Sequence, residues 1–159
     1  MRPWVVALEA RGFRSRAVSL PHTEATRAVA AYRAAAPPAL DSVIGGHSFG
    51  GRVASLLAAE EPYRGLILLS YPLHRPGHPE GWDERTAHWP SISCPVLLLS
   101  GGSDPFARVG LLRTATDRLA DGRLILYPRV GHGLLSVLDQ ATDQVARFLA
   151  GLTQRSPGS

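Results

Sequence analysis

The chain contains no lysine and no asparagine, one cysteine and one methionine among 159 residues. All 17 of its basic residues are therefore arginine, against 13 acidic ones, for a formal charge of +4. Lysine and asparagine have AT-rich codons, so their absence fits a GC-rich coding sequence rather than a nucleic-acid-binding role. The arginines are scattered singly, without the basic runs or aromatic interleaving that a nucleic-acid groove requires. A lone Cys94 excludes an internal disulfide and points to a reducing, cytoplasmic setting. It precedes an apolar run instead of following one, which suits a small core residue better than a nucleophile. No apolar stretch reaches the ~20 residues of a membrane span, and Arg2-Pro3-Trp4 does not open a secretory signal. Neither nucleic acid nor membrane is expected as a partner, and the oligomeric state is not legible.

What is present reads as one soluble domain, residues 1–152, followed by a short tail, 153–159, without ordered structure. Hydrophobic content of 45% and charged content of 19% are ordinary for a globular chain. Apolar runs and helical periodicities alternate. Helices are predicted at 3–11, at 23–36 with Thr23 as cap, after 50 up to Glu61, around 109–119, and at 134–152. Strands are predicted at 13–20, 40–45, 64–70, 95–100 and 123–127. The runs at 65–69 and 95–100 are apolar throughout, as strands covered on both faces must be. Such alternation implies a mostly parallel sheet with helices on both faces. Residues 71–93 lack periodicity and form a long excursion from a strand end, a place where specificity is commonly set.

Gly46-His47-Ser48-Phe49-Gly50 lies between an apolar run and a helix-like run. Strand, Gly-x-Ser-x-Gly, helix is the arrangement of a nucleophile elbow, in which a sharp turn lifts the serine hydroxyl clear of the sheet. Crowding between strand and helix calls for small residues at Gly46 and Gly50. The following helix turns its first N–H groups toward the serine, with Phe49 N–H as an oxyanion donor. Asp104, in Gly101-Gly102-Ser103-Asp104-Pro105, follows the next-to-last strand. His132, between Gly131 and Gly133, follows the last. In an open parallel sheet the carboxyl edge is where sites assemble, and the order Ser, acid, His is that of α/β-hydrolases. A serine needs a base to attack a carbonyl. His132 would take the proton and return it to the leaving group, and Asp104 would hold the imidazole's tautomer.

Other polar residues rank lower. Asp41 precedes the elbow strand and so lies at the wrong end of the sheet, and Asp83 falls in the excursion. His47 reads as packing or as lining on the substrate side. Tyr71 and His74 open the excursion and are expected to bind substrate, with the stretch 71–89 forming a wall of the acyl pocket beside Ser48. Its His74, His78, His88, Trp82 and Trp89 match no zinc spacing, so neither metal nor cofactor is expected.

The stretches Ile44–Ser55, Tyr71-Pro72-Leu73-His74-Arg75-Pro76-Gly77 and Gly101–Phe106 resemble a small α/β-hydrolase of the dienelactone-hydrolase-like branch. Within it the likeness is to the family that includes a subunit of the non-specific lethal chromatin complex, over most of the chain from Trp4 to Leu149. The resemblance implies a cofactor-free Ser48–Asp104–His132 site acting on a small-molecule acyl substrate. Dienelactone hydrolases use cysteine where this chain has Ser48. The chromatin-complex relatives also admit a non-catalytic interaction module, and acyl transfer would use the same triad. Such proteins begin with a strand running into a His-Gly-Ala-Gly-type loop that carries the second oxyanion N–H, whereas Met1 here stands already within the next helix. That strand belongs between 14–20 and the elbow strand. Either these two close up and pair directly, or the gene product starts upstream of Met1. The second is the expectation, and with Phe49 N–H as the sole donor the 159-residue form is expected to be weakly active.

Overall fold

The computed structural model describes residues 1–21 and 23–154. Four parallel strands form one sheet in the order β1 (Val43–His47), β2 (Gly65–Leu69), β3 (Val96–Gly101), β4 (Gly122–Tyr127). Each crossover carries helical structure: α3 (Phe49–Glu60) after β1, α4 (Trp82–Arg85) within the long excursion after β2, and α5 (Val109–Thr116) after β3. Two helices, α1 (Arg2–Glu9) and α2 (Ala25–Ala35), precede the sheet, and α6 (Leu138–Gln154) follows it.

Strand periodicity sorts the core into two layers. Leu66, Leu68, Val96 and Leu98 face a large cluster that includes Val29 of α2, Val53 and Leu57 of α3, Leu112 of α5, and Trp89. The alternate residues Leu69, Leu97 and Leu99 face a smaller one with Trp4 of α1 and Ala141 and Val145 of α6. Helices thus cover both faces of the sheet, as the apolar runs of β2 and β3 require. The smaller layer is tied across its rim by Arg11 Nε, which donates to Asp143 at 2.8 Å.

The strand expected at 13–20 does not form: residues 13–21 belong to no helix or strand, and the direct pairing with the elbow strand is not made. A physical obstacle stands at the outer edge of β1. The buried Tyr32 hydroxyl accepts from Gly45 N–H (3.1 Å) and donates to Gly45 C=O (2.6 Å), occupying the groups that an adjacent strand would use. Burial also raises the pKa of this phenol, so the hydroxyl keeps its proton. Smaller differences follow the same logic. α2 is led by Glu24 with no side-chain cap, so Thr23 does not cap it. The elbow strand begins at Val43, because Ala39–Asp41 make a 3-10 turn. α6 runs through Gln154, two residues into the expected tail; residues 155–159 of that tail lie outside the described residues.

Candidate active site

Ser48 follows β1, Asp104 follows β3 and His132 follows β4, so all three stand at the carboxyl edge of the sheet. Ser48 has φ 52° and ψ −117°, a conformation costly for any residue with a Cβ. It is held there from both sides: its N–H donates to Leu69 C=O of β2 (2.8 Å), and its C=O accepts from Arg52 N–H of α3 (3.2 Å). The close approach of strand and helix falls on Gly46 and Gly51. A Cβ on Gly46 would lie 2.4 Å from the carbonyl carbon of Gly50, and one on Gly51 would lie 2.9 Å from Gly46 C=O. At Gly50 a Cβ would meet nothing within 4 Å, so the crowding expected there belongs one residue later.

The other two side chains come on loops that are fastened together. Ser103 N–H donates to Val130 C=O (2.9 Å), and Gly102 N–H to Tyr127 C=O (2.8 Å). Between these loops any Cβ on Gly101 would sit 2.2 Å from Gly131 C=O, so only glycine allows their contact. Asp104 is buried, at 5% exposure. One carboxylate oxygen accepts Phe106 N–H (2.8 Å), and the other accepts from His132 Nδ1 (2.9 Å). That donation leaves the Nε2 lone pair free to accept from the Ser48 hydroxyl, 2.8 Å away. The Phe106 ring packs 4.5 Å from the His132 ring, centroid to centroid, and shields one side of it. Phe49 N–H is the first of α3 and has no acceptor within its own helix, so it stays available beside Ser48.

Tyr71 and His74 are buried instead of forming the substrate wall expected of them, and His47 packs under the histidine loop. The His47 ring, 5.2 Å from that of His132, donates from Nε2 to the His132 backbone carbonyl at 3.0 Å. Its pKa is lowered, chiefly by burial, so it is a neutral strut under the histidine loop. Tyr71 is 1% exposed; its hydroxyl donates to Arg85 C=O (2.7 Å), and its ring meets Trp89 edge-on. His74 is also 1% exposed. Its Nδ1 donates to Arg75 C=O (2.8 Å), its Nε2 accepts Arg108 N–H (3.1 Å), and its own backbone N–H reaches Phe106 C=O (3.0 Å). It stitches the excursion to the loop that carries Asp104. No sequence signal distinguishes such a strut from a ligand-facing histidine, because both lie on irregular chain beside a strand end.

A family model described as an alpha/beta hydrolase domain matches residues 9–148. The chain belongs to the α/β-hydrolase family. Solved α/β structures share the fold. A monoacylglycerol lipase from Paleococcus ferrophilus is similar at TM-score 0.74 and 13% identity, over 94% of this chain and 88% of that one. Est1E from Butyrivibrio proteoclasticus is similar at TM-score 0.63 and 18% identity, over 82% and 68%. A dienelactone hydrolase from Anabaena variabilis is similar at TM-score 0.55 and 23% identity, over 69% and 48%. In this α/β-hydrolase the excursion after β2 is pinned by polar bonds to α3 and to the turn after α5. Ser55 Oγ donates to Arg52 C=O and accepts from His88 Nε2, both at 2.8 Å. Arg118 pairs with Asp83 and lies 4.3 Å over the Trp82 ring. Among the described residues no three His, Cys, Asp or Glu side chains gather in a way that could hold a metal ion, and no helix is long and apolar enough to cross a membrane.

Proposed function

We propose that this protein is a serine hydrolase that cleaves an ester, thioester or related acyl bond through an acyl-enzyme at Ser48. The observation that carries this reading is the unbroken relay from a buried carboxylate to imidazole to hydroxyl, at 2.9 and 2.8 Å. The Ser48 oxygen attacks the substrate carbonyl while its proton passes to His132 Nε2. Asp104 holds the imidazole in the tautomer that can accept that proton, and stabilises the imidazolium that results. The tetrahedral oxyanion takes a hydrogen bond from Phe49 N–H at the positive end of α3. As the intermediate collapses, His132 returns the proton to the leaving oxygen or sulfur. Water then repeats the sequence on the acyl-enzyme and releases the acid. None of these steps needs a cofactor.

The narrower kinship, to the dienelactone-hydrolase-like branch and the chromatin-complex family, rests on Tyr71-Pro72-Leu73-His74 and its neighbours. Burial of the single Cys94, whose thiol pKa is pushed up to about 11 by that burial, suits a reducing cytoplasm. The test is labelling with a fluorophosphonate probe alongside turnover of a p-nitrophenyl ester. The wild type is expected to be labelled stoichiometrically, and Ser48→Ala not at all. A wild-type protein that folds and yet resists the probe would overturn the reading in favour of an interaction module.

A further inference from the structure

A cavity of about 640 Å³ opens between the start of α2, the first turns of α3 and the excursion after β2. Arg52 of α3 and Arg75 and Arg85 of the excursion line it together. Elsewhere in the chain Arg11, Arg33 and Arg118 each pair with carboxylates. Among the described residues no ion pair holds Arg52, Arg75 or Arg85, and the Arg85 guanidinium donates to the Pro72 carbonyl at 2.7 Å. Three acids share the lining, and two have partners of their own: Glu80 pairs with His78, also of the lining, at 3.1 Å, and Glu24 with Arg27 at 3.8 Å. The third, Glu84, lies beside Arg85 without forming an ion pair with it. Burial lowers the pKa of Arg85, and the positive fields of Arg52 and Arg75 lower it further. Like charges gathered in a half-buried recess repel one another, and an oxyanion between them would relieve that repulsion.

The recess also borders the elbow helix through Arg52. Arg52 lies one helical turn after Ser48, about 6 Å along the axis of α3, and helical side chains lean toward the N-terminus, here the elbow. From these observations we infer that Arg52, Arg75 and Arg85 form a subsite for an anionic group, a carboxylate or a phosphate, carried on the substrate away from the scissile bond. This rests on the hydrolase reading above and assigns it a substrate class: acyl compounds bearing a negative charge. Guanidinium forks suit such a group because they bind planar or tetrahedral oxyanions through two parallel hydrogen bonds.

The test compares three acyl esters: p-nitrophenyl butyrate, neutral; the p-nitrophenyl hemiester of glutarate, with the charge on the acyl side; and an acetyl ester of glycerol phosphate, with the charge on the alcohol side. One of the two anionic esters is expected to exceed the neutral one in kcat/KM by about tenfold or more, mainly through KM, as loss of a charged hydrogen bond implies. Which one does so tells the side of the bond that faces the recess. Arg75→Gln, at an exposed position, should erase that preference and leave the neutral ester unchanged, and Arg75→Lys should restore part of it. A neutral ester hydrolysed at least as well as both anionic ones, with Arg75→Gln making no difference, would overturn the subsite and leave the hydrolase reading intact. If no ester turns over and the fluorophosphonate fails, the hydrolase reading falls by itself. The subsite is then decided by calorimetry of Ser48→Ala with monomethyl glutarate and with inorganic phosphate. Binding weakened by Arg75→Gln upholds it, and no binding of either overturns it.

Discussion

At the scale of single residues, Ser48 concentrates the conflict between stability and chemistry. Its φ of 52° raises its hydroxyl above the sheet, a placement that costs about 1–3 kcal/mol of strain. At ordinary sites glycine is less stable than alanine by about 0.5–1 kcal/mol. Here the order should invert: Ser48→Gly is expected to resist urea better than Ser48→Ala, with both inactive. An alanine variant at least as stable as the glycine one would show that the elbow is not strained. The residues proposed as nucleophile, base and acid were legible from chain order alone, since each follows a strand and the motif fixes the first. The struts were not. His47 and His74 hold up the loops of the candidate site through side-chain bonds to backbone carbonyls and amides, and such bonds depend on tertiary distances that no spacing in the sequence encodes.

At the scale of elements, the elbow shows how a motif can be read one residue off. Gly-x-Ser-x-Gly suggests that both flanking glycines are forced, yet the steric demand falls on Gly46 and Gly51. Gly46→Ala should therefore be severely destabilising, because its Cβ meets backbone that cannot move aside. Gly50→Ala, in open space on α3, should raise stability by up to about 1 kcal/mol through helix propensity. Thermal and urea melts of the two variants decide it, and equal losses would contradict the assignment. The edge of β1 supplies a second case. Tyr32→Phe strands the N–H and C=O of Gly45 and is expected to cost about 1–3 kcal/mol; a neutral effect would mean that water replaces the hydroxyl there. Strand identity at 13–20 could not have been settled from composition, because a strand exists only where a neighbour's hydrogen-bonding groups are free, and Tyr32 has taken them.

At the scale of the whole molecule, the excursion after β2 behaves as part of the core, anchored through the part-buried His88–Ser55 bond. Burial, reinforced by the charge of Arg52, holds the pKa of His88 down at about 4, against 6.5 for a free imidazole. The unfolded chain therefore binds a proton there before the native one does. The His88 contribution to stability should be full above pH 6.5, be lost as pH drops from 6.5 toward 4, and change no further below that. His47, also lowered by burial, acts in the same direction. His88→Gln keeps a donor for Ser55 and loses the titration, so its urea midpoint should depend less on pH over that window; an unchanged slope would exonerate His88.

Ser48 and His132 leave opposite borders of the sheet, β1 and β4, which three strand spacings hold about 14 Å apart. The 2.8 Å bond between them closes only because the loop after β4 arches back across the full width. The pair therefore works as a gauge of sheet twist: a slight fanning of the border strands is multiplied at the tip of the arch. Reaction of Ser48 with a fluorophosphonate should then slow at urea concentrations below those that change far-UV circular dichroism. Coincident curves would mean that the arch is as rigid as the strands beneath it.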